Sequence, residues 1–166
     1  TLVDLSLDSF KKSMLQINYQ KASNDNYLKV FDLQSPLLLG DNNVLDSKIE
    51  LDLEHENYDL TTSFEMYETL SGSNSDRYQY VLPNYNFLKD FSLNNIDGSF
   101  IFYSNGNNTL SATNVVASKI ANGLKYSTLL KFFDNGIKTN FEIDLKNINT
   151  VGKNSPTYKN SPQSEL

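Results

Sequence analysis

The sequence predicts an all-β protein, an antiparallel up-and-down meander of about seven or eight strands. Three observations carry this. Apolar and polar residues alternate with period two over long runs, as in "SKIELDLE" (47–54). Helical periodicity is weak almost everywhere. The 22 Asn residues cluster between the runs, in stretches such as "GDNN", "SLNNIDG" and "NGNN", the composition of turns.

The elements follow in order. "SMLQINYQKASNDNYLKVFDL" (13–33) holds one or two strands, and "QSPLLLGDNNV" (34–44) reads as a long loop. In "LDSKIELDLEH" (45–55), Ile49, Leu51 and Leu53 face one way, and Lys48, Glu50, Asp52 and Glu54 the other. "HENYDL" is a tight reversal into "LTTSFEMYETL" (60–70), where Phe64 and Met66 oppose Glu65 and Tyr67, so the two segments predict a hairpin. "SGSNSD" (71–76) is a loop. "RYQYVLPNYNF" (77–87) alternates like a strand but carries Pro83, which lacks a ladder donor and belongs at a bulge or a strand end. A bulge there is expected to switch faces, setting Tyr85 and Phe87 opposite Tyr78 and Tyr80. "SFIFYSNG" (99–106) returns the chain. The "VVASKIA" part of the next stretch has some helical spacing, but its β-branched and aromatic neighbours favour strand. Asp134-Asn135-Gly136 is a hairpin turn, because Asn and Gly accept positive φ. After it, Ile137, Thr139, Phe141, Ile143 and Leu145 face one side, and Lys138, Asn140, Glu142, Asp144 and Lys146 the other. The final "YKNSPQSEL" matches no finished element, and with a first residue other than Met it reads as part of a longer protein.

Composition narrows the function. A net charge of −6 with 13 scattered Lys and one Arg argues against a nucleic-acid partner. With no Cys and one His, neither a thiolate nor a His-based metal site can be built, and no cofactor is expected. His55, between Glu54 and Glu56, reads as an exposed turn residue. "GDNN" and "NIDGS" lack the ligand spacing of a calcium loop. "SGSNSDR" offers serines without a nucleophile elbow or a base, and no glycine loop cradles phosphate. The chain is not expected to be an enzyme.

Two architectures fit the alternation. A soluble sheet packs its apolar face on a core and wets the other. A transmembrane barrel turns the apolar face to lipid and the charged face to a wet lumen, with a signal of alternation rather than a long apolar run. The pattern alone does not separate them.

Three segments in order then bear on the choice. They are "ASNDNYLKVFDL" (22–33) with Ser23, Asp25, Tyr27 and Leu28, "LDSKIELDLEHENYDLTTSFEMYETL" (45–70), and "DRYQYVLPNYNF" (76–87) with Leu82 and Pro83. Together they resemble the barrel domain of the LptD family of lipopolysaccharide-assembly proteins, over about residues 13–145. Asn114 and Ala117 stand where that family often has Arg. The resemblance implies that residues 1–166 are part of a large transmembrane β-barrel in the outer membrane of a Gram-negative bacterium. The periplasmic domain, gate strands and closing strand would lie outside it. It implies lipopolysaccharide, membrane lipids and an LptE-like lipoprotein plug as partners. Lys48, Glu50, Asp52, Glu54, Lys138, Asn140, Glu142 and Asp144 are then expected to face the lumen. Ile49, Leu51, Leu53, Phe141, Ile143 and Leu145 are expected to face lipid, with the tyrosines around Pro83 in an interfacial girdle.

Overall fold

The computed structural model describes residues 1–26, 43–71, 76–91 and 97–166. Eleven strands are present among them: β1 (Leu2–Asp4), β2 (Lys12–Asn18), β3 (Val44–Glu54), β4 (Tyr58–Thr69), β5 (Tyr78–Phe91), β6 (Ser99–Ser111), β7 (Val115–Ser127), β8 (Lys131–Phe132), β9 (Lys138–Thr139), β10 (Glu142–Lys153) and β11 (Gln163–Glu165). Nine form one antiparallel sheet in the order β1-β2-β3-β4-β5-β6-β7-β10-β11, and β8 and β9 pair separately. The fold is an all-β antiparallel meander. The sheet is open, since β1 and β11 do not pair with each other. Among the described residues the backbone of each strand lies close only to those of the strands hydrogen-bonded to it.

Local chemistry explains the turns. His55 N–H donates to the Tyr58 carbonyl at 2.8 Å and closes the β3–β4 reversal. Ala112 and Thr113 take φ of 45° and 60° to turn β6 into β7, and Asn114 N–H donates back to the Ala112 carbonyl. Gly136, at φ 84°, completes the Asp134–Gly136 turn.

Several expectations are corrected. The alternating run through 137–145 is not one strand. Lys138 belongs to β9 in the small hairpin, Asn140 lies between β9 and β10, and only Glu142 onward joins the main sheet. "NGNN" (105–108) is inside β6 rather than a turn. The end of the chain does form an element, since Ser164 of β11 pairs with Asn149 of β10. His55 is half-buried, stacked on Tyr58 with ring centroids 4.5 Å apart and edge-on to Phe10 at 5.8 Å. Tyr27, Leu28 and most of the 34–44 loop lie outside the described residues.

The bulge at Pro83 is present, and its effect on the faces is the reverse of the expectation. Glu65 pairs with Val81 and Ser63 with Asn84, so one residue of β4, Phe64, opposes two of β5, Leu82 and Pro83. An extra residue offsets the alternation by one. Tyr78 and Tyr80 carry even numbers, and Tyr85 and Phe87 odd ones. Uninterrupted alternation would separate them, and the bulge reunites them. Met66 opposes Tyr80, Thr62 opposes Tyr85 and Leu60 opposes Phe87, and these three β4 residues share one face.

The described residues of the sheet have almost no core of their own. Among the described residues only Leu45, Leu70, Val81 and Ala121 are buried hydrophobics, and no large side chain is fully buried. Ile49 and Phe64 are each 48 % exposed and Leu145 is 60 % exposed.

Candidate functional site

Residues directly opposite in an antiparallel ladder share a face, so the register assigns every strand residue to one of two sides. The first side is apolar over β2 to β5. Leu15, Leu51 and Thr62 form one row, and Ile17, Ile49 and Phe64 the next. Aromatics continue it: Tyr58 and Phe87 have ring centroids 6.2 Å apart, as do Phe87 and Phe102. Phe91 stacks on Phe100 at 5.6 Å and Phe100 on Tyr126 at 4.6 Å. Ile143 and Leu145 extend this side onto β10, opposite Tyr126 and Leu124. Phe141 lies just before β10, and its N–H donates to Thr128 Oγ1 at 2.8 Å.

Near the bulge this side dips into an open apolar groove of ≈ 210 Å³ lined by Ile17, Ile49, Phe64, Met66, Tyr80 and Leu82. Toward β6, β7 and β10 the same side turns polar. Tyr85 and Ser104 hydroxyls lie 3.2 Å apart, and Ser104 Oγ donates to Asn122 Oδ1 at 2.7 Å. Ser118 donates to Asn108, and Asn147 Nδ2 to Ser164 Oγ at 2.9 Å.

Gly106 is the reason Tyr85 can lie flat across its neighbour strand. A Cβ at Gly106 would stand 2.2 Å from Tyr85 Cε1. The same device recurs on the opposite side, where a Cβ at Gly123 would stand 2.0 Å from Tyr103 Cζ.

The second side is charged. Lys48, Glu50, Asp52 and Glu54 share it. Lys48 Nζ sits 2.6 Å from Glu50 Oε2 and 3.8 Å from Glu65 Oε1. Glu65 also accepts hydrogen bonds from Tyr67 OH and Ser63 Oγ, each at 2.7 Å. Asp52 pairs with Lys12 and accepts from Thr61 Oγ1 at 3.1 Å. A second cluster joins β6, β7 and β10. Lys125 Nζ is 2.9 Å from Glu142 Oε1, and Tyr103 OH donates to Asp144 Oδ1 at 2.9 Å. The structure thus brings six of the eight expected polar positions onto one side and leaves Lys138 and Asn140 off it. Lys138 instead stands over the Phe132 ring at 5.3 Å.

Sequence reasoning missed Lys12, Lys125 and Tyr103. Lys125 and Tyr103 fall on strands whose alternation is broken by Asn, Ser and Gly, and both partners come from β10, beyond the small hairpin. The motif residues Ser23 and Asp25 follow β2. Asp25 Oδ1 is 2.7 Å from Arg77 Nη2, which also sits 3.0 Å from Glu68 Oε1. Leu82 and Pro83 form the bulge and are joined by a cis peptide bond.

No group of three or more His, Cys, Asp or Glu among the described residues could hold a metal ion. No described helix is long and apolar enough to cross a membrane, which says nothing of strands that cross one. The fold and its surfaces define the class: a two-faced antiparallel β-meander, apolar and aromatic on one side, charged on the other. No family model, curated protein or solved structure matches the chain.

Proposed function

We propose that the chain is a wall segment of an outer-membrane β-barrel of the lipopolysaccharide-translocon type. One observation carries this reading: the sheet has an extended apolar side on which none of the described residues outside the sheet form a covering layer. Ile49, Phe64, Leu82 and Leu145 are each at least 45 % exposed. In water, an apolar patch of this extent on a monomer is a binding site or a liability. Facing lipid, it is the outside of a barrel. The charged side then lines the lumen, where hydrated Lys, Glu, Asp and Asn exchange hydrogen bonds with sugars at low cost. An LptE-like plug would touch the same side.

The mechanism is passage without bond chemistry. The sugar part of lipopolysaccharide travels in the polar lumen while its acyl chains reach the membrane through a seam. The acidic residues of the lumen repel lipid phosphates, so divalent cations would bridge the two. The alternatives are another outer-membrane channel barrel, or a soluble β-sheet module that binds glycans.

The test is to charge each side in turn. Leu51→Lys or Ile143→Lys should block membrane assembly, at a cost of about 2–4 kcal/mol near the midplane. Lys146→Glu, exposed on the wet side, should cost no more than ~1 kcal/mol. Assembly is read by extraction of outer membranes. A chain that folds as a water-soluble monomer with Leu51 and Ile143 buried overturns the barrel reading.

A further inference from the structure

The apolar stripe does not run straight across the strands. On β3 it is centred on Leu51, between Ile49 and Leu53. On β10 it is centred on Ile143, between Phe141 and Leu145. These two residues do not share a row of the register. Leu51 opposes Thr62, Thr62 opposes Tyr85, Tyr85 opposes Gly106, and Gly106 opposes Ile120. Ile120 opposes Asn149 on β10. The row that starts apolar at Leu51 therefore ends at an asparagine, six residues from Ile143 along the strand. The row of Ile143 runs back through Tyr126, Phe100 and Phe91, and then leaves the sheet at the β3–β4 turn.

The stripe climbs six residues over five strand steps, about 1.2 residues per step, or ~4 Å of rise for each ~4.8 Å of width. That slope is an angle of about 40° between the stripe and the perpendicular to the strands. Strands of transmembrane barrels are tilted by ~35–45° to the membrane normal. Resting on the barrel reading, we infer that this oblique stripe is the belt in contact with the hydrocarbon of a lipid bilayer, and that the strands are tilted about 40° from the bilayer normal.

The polar half of the same side then has a reason. Asn149, Ser118 and Asn108 lie off the belt on one flank, at the edge of the hydrocarbon, where their amides and hydroxyls meet headgroups and water. Lys89, beside Tyr58 and Phe102, is the one charged side chain within the stripe among the described residues. Its long stem lets the ammonium reach along the strand toward the β3–β4 turn, on the opposite flank.

The sequence has no Trp, so single-Trp variants give a clean depth probe. Leu51→Trp, Ile143→Trp and Asn149→Trp would be reconstituted in vesicles of phosphatidylcholine brominated on its acyl chains. The tilt sets Asn149 about 15 Å from the midplane, at the edge of the hydrocarbon, so quenching at Leu51 and Ile143 should exceed that at Asn149 at least about threefold. Equal quenching at Leu51 and Asn149, with less at Ile143, means a belt along the row and overturns this inference while leaving the barrel intact. No quenching at either Leu51 or Ile143 in folded protein overturns the barrel reading itself. Ile49→Trp, Leu145→Trp and Val151→Trp repeat the comparison one step along each strand in the same direction, so a variant that misfolds does not end the test.

Discussion

Asp25 and Arg77 meet across 52 residues of chain, carboxylate to guanidinium at 2.7 Å. The pair ties the segment after β2 to the residue before β5, and Glu68 holds the same guanidinium from β4. The Arg77 side chain is only 11 % exposed while that of Asp25 is 50 % exposed, so the two ends carry unequal weight. Arg77→Ala should lower the stability of the folded protein more than loss of the Asp25 end alone, because it also removes the pair with the sheltered Glu68 carboxylate. Asp25→Asn should cost no more than ~1 kcal/mol, because water screens that end. Urea midpoints in detergent micelles give both numbers, and equal losses would refute the asymmetry.

The bulge on β5 gives a sharper test, since its effect is one of counting. Deleting Pro83 leaves Leu82 alone between Val81 and Asn84, which restores regular pairing with Glu65 and Ser63 on β4. All flanking side chains keep their faces. Deleting both Leu82 and Pro83 removes two residues where the ladder can spare one. One half of β5 must then turn its aromatics to the charged side. Protease resistance should survive the first deletion and be lost in the second. Loss of fold in both would mean that the bulge shape matters beyond its count.

Tyr85 and Gly106 form a packed pair with no room for a methyl group. Gly106→Ala should destabilise by about 1–3 kcal/mol through overpacking. Adding Tyr85→Ala should recover much of that loss, so the two changes combine to less than their sum. A double-mutant cycle from denaturant midpoints measures the coupling. Simple additivity would show that Gly106 serves the backbone rather than the ring.

The hairpin of β8 and β9 is expected to be dispensable for the sheet. Thr128 N–H donates to the Phe141 carbonyl at 2.9 Å, so the ends of β7 and β10 already meet beneath it. Replacing residues 130–139 by a short Asn-Gly turn should leave the melting temperature within a few degrees, as expected for a change under about 1 kcal/mol. Phe132 is 68 % exposed and Phe133 54 % exposed, and removing both rings should also reduce non-specific association, read by light scattering.

Much of the fold was legible because period two is a local signal. Ile49, Leu51 and Leu53 against Lys48, Glu50 and Asp52 state the two faces without knowledge of any partner. What escaped depends on neighbours distant in sequence. The Asp134–Gly136 turn is written in its residues, but nothing local says that its short arms pair with each other rather than with the main sheet. Asn105 to Asn108 have turn composition, yet Gly106 is needed because Tyr85, on another strand, lies across it. His55 reads as a solvated turn residue until Phe10 arrives from 45 residues away. The bulge was legible at Pro83, but its consequence for the tyrosines turned on parity, which a single extra residue reverses.

Among the described residues, strand backbones approach only their hydrogen-bonded neighbours, so the sheet is in effect one-dimensional. Only a few side-chain links, such as Tyr103 to Asp144 across β7 and Asp25 to Arg77, reach farther. Its stability is close to a sum of adjacent-strand terms, as in repeat arrays. Such a structure can grow like a zipper: one hairpin forms, and each later strand docks on the exposed edge of the last. A lesion such as the double deletion in β5 would then stall growth at a defined strand and leave the part already laid down intact.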